Sequence, residues 1–300
     1  MVSTLALALA TTGCGTDDNR TDAEKRRAAP VVVLTDQATL SGAGATFPAT
    51  IVQEWIKQYK SVAPGVTINY QAVGSGAGIQ QLTSRTVDFA GSDVPLKASE
   101  HAATGGAGNV VQVPWTAGGL AVAYNLAEMK DLRLSPSTLA GIFAGRISRW
   151  DDAAIRADNP GIRLPTAGIQ VVHRSDGSGT TQVFTEYLKA VAPEVWAFPT
   201  GKDWPAGTTG TGAKGSDGVT AAVKQSPGAI GYSELSFPVQ AGLGVAAIRN
   251  KAGQYVEPTA AGVSTAIGAA VVSSDMTLKV NYDPDGAGRV TSVVGAQPGA

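Results

Sequence analysis

Short apolar runs alternate along this chain with longer stretches in which apolar residues recur every three or four positions. Ile169-Gln170-Val171-Val172 is fit for a buried strand, and the stretch from Val183 to Val191 that follows has helical spacing. Val66 to Ala72 alternates apolar and polar residues as a half-buried strand does, whereas Ile51 to Val62 places its apolar residues on one helical stripe. The alternation of strands and helices predicts an α/β protein that binds its ligand at the carboxyl ends of its strands.

A polar turn, His173 to Thr181, joins the first of these strands to its helix. The first amides of a helix lack intrahelical partners and the helix dipole favours negative charge there, so this turn predicts a site for a tetrahedral oxyanion. The same residue types are also typical of an ordinary helix N-cap, and the turn taken alone leaves both interpretations open. The predicted donors are the amides of Gly179 and Thr180, the hydroxyls of Ser178 and Thr180, and the guanidinium of Arg174, which Asp176 would orient by pairing with it.

Two further glycine-softened turns precede predicted helices. Leu40 to Pro48 leads into the helix from Ile51, with Pro48 suited to the first helical position and Thr46 at the cap. Gly74-Ser75-Gly76-Ala77-Gly78 leads from the strand before it into a second helix, with Ser75 at the cap. Three such turns, each with a hydroxyl, predict convergence on one anion.

A fourth segment, Val87 to Pro95, reads as a strand that runs into a turn presenting Asp93. Phosphate keeps at least one P–OH proton near neutral pH whereas sulfate has none, so a buried Asp93 carboxylate would accept from phosphate and repel sulfate. Asp88 is expected to face away from Asp93, and a strand-turn geometry that reverses the two is the alternative. The alternative for Asp93 is an ordinary cap or turn aspartate.

These turns together resemble the phosphate-binding protein of bacterial ATP-binding-cassette phosphate importers. The matching motifs are Gly42 to Pro48, Gly74 to Gly78, Val87 to Asp93 and Arg174 to Thr180, and further similar stretches lie at Gly145 to Asp152, Asn159 to Gly161, Lys214 to Val219 and Gly228 to Tyr232. The resemblance implies a two-lobed periplasmic-binding-protein fold of type II, with inorganic phosphate in the interlobe cleft. It implies phosphate contacts from Thr46, Phe47, Ser75, Asp93, Arg174, Ser178, Gly179 and Thr180, with Asp176 supporting Arg174; Phe47 would contribute its amide, since its ring reads as core packing.

The resemblance and the composition together suggest a domain organisation. The passage from Val110 to Tyr124 is expected to cross between the lobes. Residues 282–300, rich in glycine and proline, are expected to form a tail that lacks the return to the first lobe, as in a truncated chain. The predicted segments are a signal peptide at 1–13, a flexible linker at 14–37, a first lobe at 38–114, a second lobe at 115–281 and the tail at 282–300.

The N-terminal segment resembles a lipoprotein signal peptide. A short apolar run from Leu5 to Ala10 is followed by Thr11-Thr12-Gly13-Cys14 and a charged stretch, so Cys14 would be lipidated. No Lys or Arg precedes the run, and Thr11 stands where such peptides usually have Leu, so a free cysteine in a disordered tail is the alternative. Lipidation predicts an extracytoplasmic or periplasmic protein held at the cell membrane. The single cysteine excludes a disulfide within the chain.

Composition narrows the classes of function. Hydrophobic residues make up 43% and charged residues 16% of 300, which predicts a folded chain long enough for two lobes. The net charge of -1 provides no basic field for nucleic acid. The resemblance implies inorganic phosphate and the membrane permease of an importer as partners. We also expect contact with the membrane through the lipid anchor, and a protein that is otherwise a monomer.

Three other functions would also use a site of this kind. A phosphatase would need Ser178 as nucleophile, but the glycine two places before it is missing, and His101 and His173 offer few candidates for a triad or a metal cluster. We therefore expect no enzyme activity, no cofactor and no metal. A sulfate or molybdate binder is opposed by Asp93, whereas a cell-surface binder or sensor of phosphate or another tetrahedral oxyanion, without transport, stays open as the alternative.

Overall fold

The computed structural model describes residues 37–106, 108–127, 129–268, 271–272, 278–279 and 291–298. The predicted signal peptide, Cys14 and most of the predicted linker lie outside these residues. The strands are β1 (Ala38–Gly44), β2 (Val66–Ala72), β3 (Phe89–Ser92), β4 (Val113–Tyr124), β5 (Arg133–Leu134), β6 (Gln170–Arg174), β7 (Thr211–Ala213), β8 (Ala229–Glu234), β9 (Gly244–Val245), β10 (Ala247–Arg249), β11 (Tyr255–Val256), β12 (Val271–Val272), β13 (Leu278–Lys279) and β14 (Thr291–Pro298). The helices are α1 (Ala49–Val62), α2 (Ser75–Thr83), α3 (Ala98–Ala103), α4 (Pro136–Phe143), α5 (Ala153–Asp158), α6 (Gly179–Val191), α7 (Gly215–Gln225), α8 (Ser236–Ala241) and α9 (Ala260–Gly268).

One mixed sheet runs through the part of the chain that the structure describes. Its strands follow one another in the order β2-β1-β3-β14-β4-β8-β6-β7, and β9 pairs with β4. At one end β1 runs parallel to β2 and β3, and at the other end β6 runs parallel to β7 and β8. The predicted α/β class is therefore confirmed, with a parallel βαβ arrangement at each end of the sheet.

The long strand β4 joins these two ends. Its first half, from Val113 to Gly119, pairs with β14, and its second half, from Leu120 to Tyr124, pairs with β8. The predicted boundary between residues 114 and 115 thus falls inside a strand that both halves of the sheet share. We use first lobe for the β2-β1-β3-β14 side and second lobe for the β8-β6-β7 side.

The C-terminal strand differs from the sequence-based expectation of a tail without return. β14 lies between β3 and β4 and is antiparallel to both, which brings the chain back to the first lobe. Its own sequence contains a glycine and a proline and carries a weak strand signal. Hydrogen bonding to a neighbour on each side outweighs that weak local preference.

The main hydrophobic core lies in the second lobe. Trp150, Trp196 and Tyr232 are fully buried there among aliphatic side chains of the helices. The first lobe has a smaller cluster around Ala43 and Leu82. None of the helices in the described residues is long and apolar enough to cross a membrane.

Helix α1 packs differently from its predicted stripe. Ile51, Trp55 and Tyr59 keep 38 to 39% of their surface exposed, whereas Val52 is buried. Trp55 is partly covered by Trp115, whose ring centroid lies 5.9 Å away. The apolar stripe is therefore only half covered within the described residues.

Candidate functional site

The polar turn of the second lobe ends in the N-terminus of α6, as predicted. Ser178 is the N-cap residue, and its hydroxyl oxygen accepts the N–H of Thr181 at 3.2 Å. A hydroxyl that accepts in this way keeps its own proton for donation to a ligand. The amides of Gly179 and Thr180 belong to the first helical turn and have no intrahelical acceptor. The cap and the anion-donor interpretations are therefore compatible.

Arg174 lies at the end of β6 and is 2% exposed. Its Nε and Nη2 donate to Asp176 Oδ1 at 2.7 Å and Oδ2 at 2.5 Å, and Oδ1 also accepts the N–H of Gly215 at 3.0 Å. Burial by itself raises the pKa of Asp176, but these bonds and the Arg174 charge outweigh it and hold the pKa below its usual value. Asp176 is thus ionised and fixes the plane of the guanidinium.

Asp93 follows β3 at the interface between the lobes and is 5% exposed. Its Oδ2 accepts the hydroxyl proton of Thr180 at 2.7 Å, while Oδ1 is buried and has no hydrogen-bond partner within the described residues. Burial raises the pKa of Asp93 to about 6, although the Thr180 bond and the Arg174 charge both oppose the rise. A buried acceptor without a hydrogen bond destabilises the folded protein by about 1–3 kcal/mol. A ligand that donates a proton to Oδ1 would remove this cost.

The hydrogen bond from Thr180 to Asp93 limits the donors that Thr180 can provide to an anion. We predicted that both its hydroxyl and its amide face the anion, but the single hydroxyl proton is donated to Asp93. A donor with one proton cannot serve both partners fully. The amide remains the donor that Thr180 can give to a ligand.

Ser75 lies next to Asp93 in the first lobe. It is the first residue of α2 and follows the N-cap Gly74, one position later than predicted, and its Oγ accepts the Asp93 N–H at 3.4 Å. A Cβ atom on Gly179 would lie 2.6 Å from Asp93 Cβ and 2.7 Å from Ser75 Oγ. Only a glycine at position 179 therefore lets the second lobe approach the first this closely.

Thr46 does not cap α1, contrary to the prediction. The N-cap is Pro48, without a side-chain hydrogen bond, and the buried Thr46 hydroxyl lies instead 2.9 Å from Ser216 Oγ while accepting the Ser216 N–H at 3.1 Å. The ring of Phe47 is buried and approaches Gly118 on β4, as expected of a packing residue.

Thr46, Ser75 and Asp93 of the first lobe lie against the second lobe at one interface. The contacts that cross it include Thr180 to Asp93, Ser216 to Thr46, and the Gly76 N–H, which donates to the Gly177 carbonyl at 2.8 Å. Asp88 lies outside it, since its carboxylate accepts the Ser41 N–H in an exposed position. Cys14 lies outside the described residues.

Two contributions at this interface were missed by sequence reasoning. Gly215 and Ser216 begin α7, and Lys214-Gly215-Ser216 is a glycine-softened turn before a helix, the same signal that identified the other three turns. Lys202 Nζ and Glu100 Oε1 form an ion pair of 2.6 Å between the lobes. Nothing in the sequence could have paired two residues so far apart.

Known proteins similar to this chain agree with the predicted fold. Residues 31–297 match the model of the PBP superfamily domain. The chain is similar to a high-affinity periplasmic phosphate-binding protein, PfluDING, solved with bound phosphate, with a TM-score of 0.70 and 27% identity over 87% of this chain and 80% of that one. A putative phosphate ABC transporter substrate-binding protein from Clostridium perfringens, at 22% identity and a TM-score of 0.62 over 87% and 86% of the two chains, shares the fold.

Sequence relatives narrow the family. The chain is 41% identical over 267 residues to the phosphate-binding protein PstS of Xylella fastidiosa (strain Temecula1), covering 85% of this chain and 71% of the relative. It is 43% identical over 237 residues to PstS of Pasteurella multocida (strain Pm70), covering 76% and 65%. The chain thus spans about two thirds of the length of these relatives. It belongs to the PBP superfamily and, within it, to the family of PstS phosphate-binding proteins.

Proposed function

We propose that this protein binds inorganic phosphate between its two lobes and delivers it to an ATP-binding-cassette phosphate importer. The observation that carries the proposal is the buried, unpartnered Oδ1 of Asp93, which lies beside a set of hydrogen-bond donors. The names of the PstS relatives and the phosphate bound to PfluDING support the same ligand.

Asp93 explains how such a site would choose phosphate. Phosphate near neutral pH retains a P–OH group, and that proton can be donated to Oδ1. Sulfate lacks the proton, so its charge would face an ionised carboxylate. Two unit charges about 4 Å apart repel by about 4 kcal/mol at the effective dielectric of a protein site. Sulfate is therefore excluded by repulsion and not by size.

The rest of the site would bind the anion mainly through neutral hydrogen-bond donors and not through a large net positive charge. Arg174 carries the one guanidinium assigned to the ligand, and its charge is largely offset by the ionised Asp176. The proposed remaining donors are neutral: the hydroxyls of Thr46, Ser75 and Ser178 and the amides of Phe47, Gly179 and Thr180. Such donors, fixed by their own hydrogen bonds, bind an anion without needing to reorganise.

The proposed contacts come from both lobes, which links binding to closure. A phosphate that touches Asp93 in one lobe and Arg174 in the other gains its full set of contacts only when the lobes are closed. The ligand then favours the closed form by its differential affinity for the two forms. A permease that recognises the closed form would select the loaded protein.

Hydrolysis of a phosphate ester is not part of the proposal. The relatives are named as binding proteins, and the Ser178 hydroxyl is engaged as a helix cap. The ring of His173 stacks on Trp204 at 4.9 Å, and its Nδ1 lies 2.9 Å from the Arg174 carbonyl. Turnover of a chromogenic phosphate ester would contradict this part of the proposal.

We also propose that the protein works outside the cytoplasm, as a monomer anchored by a lipid on Cys14. A linker at 14–37 would give it a root-mean-square reach of roughly 25 to 30 Å from the membrane. Mass spectrometry of the protein purified from membranes should show the added mass of acyl chains on Cys14. An unmodified Cys14 in that preparation would contradict the anchor but not the phosphate site.

Titration calorimetry of the full chain with phosphate and then sulfate, at pH 7.5, tests the function directly. We expect one phosphate per chain and no heat from sulfate. Equal binding of both anions would contradict the role of Asp93. A folded protein that binds neither would contradict the proposed function.

A further inference from the structure

The N-terminus of α7 donates hydrogen bonds to two residues of the predicted site, Asp176 and Thr46. The Gly215 N–H donates to Asp176, the partner of Arg174, at 3.0 Å, and the next amide, that of Ser216, donates to Thr46 at 3.1 Å. Gly215 has φ +74°, a conformation that side-chain-bearing residues rarely adopt, and it lets consecutive N–H groups point to nearby acceptors. One helix start therefore supports a ligand-facing group in each lobe.

The Thr46 hydroxyl has one proton and two lone pairs. The Ser216 N–H occupies one lone pair, and the Ser216 hydroxyl, 2.9 Å away, can donate into the other. With both lone pairs occupied, the Thr46 proton must be donated to a third group. An anionic oxygen is a stronger acceptor than a serine hydroxyl, so a bound phosphate selects this arrangement.

We propose that Ser216 is a positioning residue for phosphate, which makes the Thr46 hydroxyl a dedicated donor to the anion when the lobes are closed. This inference rests on the proposed phosphate site. Thr46 belongs to the first lobe and Ser216 to the second, 170 positions apart, so separation of the lobes breaks both contacts. Ser216 thus acts on the ligand through Thr46 and only in the closed form.

Burial makes this pair of contacts effective. Ser216 is 0% and Thr46 is 4% exposed, so water does not compete for their hydrogen bonds in the closed form. A polar pair that is shielded in this way is electrostatically stronger than the same pair in water. Loss of the Ser216 hydroxyl should therefore weaken the closed, loaded state more than the open state.

The test is a double-mutant cycle on phosphate affinity with Ser216→Ala, Thr46→Val and the double variant. Ser216→Ala should weaken phosphate binding about 3- to 10-fold, as expected for one hydrogen bond, and should do so mainly by faster dissociation. In the Thr46→Val background the same substitution should change affinity less than twofold. The matched control is Ser233→Ala, a buried serine of the second lobe that bonds the Glu234 carbonyl and should leave affinity unchanged.

Several outcomes would overturn the inference. An equal loss in both backgrounds would show that Ser216 acts independently of Thr46, and an unchanged affinity of Ser216→Ala would show that it does not act at all. If Ser216→Ala does not fold, Ser216→Cys, whose thiol is a weaker donor, must show the same background dependence. Sulfate must stay excluded in each variant, since Asp93 is untouched. Wild-type protein that fails to bind phosphate would overturn the proposed function itself.

Discussion

The hydroxyl of Thr180 donates to Oδ2 of Asp93 across the interface between the lobes, at 2.7 Å. This bond fixes the carboxylate so that Oδ1 remains buried and unpartnered in the described structure. It also removes the Thr180 hydroxyl from the donors available to an anion. A single contact between the lobes thereby leaves one carboxylate oxygen as the acceptor that we propose for the proton of the ligand.

Replacement of Asp93 by Asn should relax this selection. The amide carries no charge, accepts from Thr180 through its oxygen and can donate to a sulfate oxygen from its nitrogen. Sulfate should change from no detectable binding to measurable binding, while phosphate affinity stays within about tenfold of wild type. Titration calorimetry of both anions measures this. Asp88→Asn, an exposed carboxylate near the same strand, serves as control, and continued rejection of sulfate by Asp93→Asn would contradict the prediction.

The sulfate affinity of the wild-type protein should depend on pH. Because burial raises the pKa of Asp93 to about 6, the neutral carboxylic acid predominates below that pH and can donate to sulfate. Only the protonated fraction binds, so sulfate binding, expected to be undetectable at pH 7.5, should appear as the pH falls towards 6, strengthen further and level off below that pH. Calorimetric titrations between pH 8 and 5 check the slope. Asp93→Asn should show no such slope, and a flat wild-type profile would contradict the role of this proton.

Gly179→Ala should prevent full closure. The added Cβ would lie under 3 Å from Asp93 and Ser75, both in the opposite lobe, so phosphate affinity should fall at least about tenfold. The free energy of unfolding should change little, because the clash lies between the lobes. Calorimetry and urea unfolding measure the two effects.

Gly218→Ala is the matched control for that substitution. A Cβ at position 218 would meet Ala213 at an ordinary 3.8 Å, inside the helix α7. It should raise the free energy of unfolding by about 0.5–1 kcal/mol and leave phosphate affinity unchanged. Equal phosphate affinities for the two alanine variants would show that the Gly179 contact does not limit closure.

Lys202→Met should make the closed form open faster. Lys202 and Glu100 pair between the lobes with side chains only 10% and 22% exposed. Burial raises the pKa of Glu100, but its bonds to Lys202 and to the Lys97 amide, with the two lysine charges, hold the pKa below its usual value. Loss of the pair should weaken phosphate binding about 3- to 10-fold, mainly by faster dissociation in stopped-flow measurements.

An exposed ion pair supplies the comparison for Lys202. Lys57 lies 3.9 Å from Glu54 on α1, with both side chains largely exposed. Exposed pairs contribute little, so Lys57→Met should leave phosphate dissociation unchanged. Lys202→Met protein that releases phosphate at the wild-type rate would show that the pair does not hold the lobes together.

Sequence alone determined the features that depend on neighbouring residues. The β6-turn-α6 unit follows from apolar spacing and from the turn residues between strand and helix, and the Arg174 partner Asp176 lies two positions away in the same turn. The polar turns before α1 and α2 were also located correctly, since glycine, proline and hydroxyl residues have strong local preferences.

Tertiary structure alone decided how these pieces meet. Thr46 contacts Ser216 and does not cap α1, although the sequence predicted that it would. Glu100 pairs with Lys202 of the other lobe. Residues 291–298 form a strand because they have hydrogen-bonding partners on both sides. The apolar stripe of α1 likewise indicated a helix but not how far its neighbours cover it. Local preference is set by each residue and its near neighbours, whereas contacts across the cleft depend on where two separately packed lobes come to rest. The spacing of residues along the chain therefore does not predict the relative position of the two lobes.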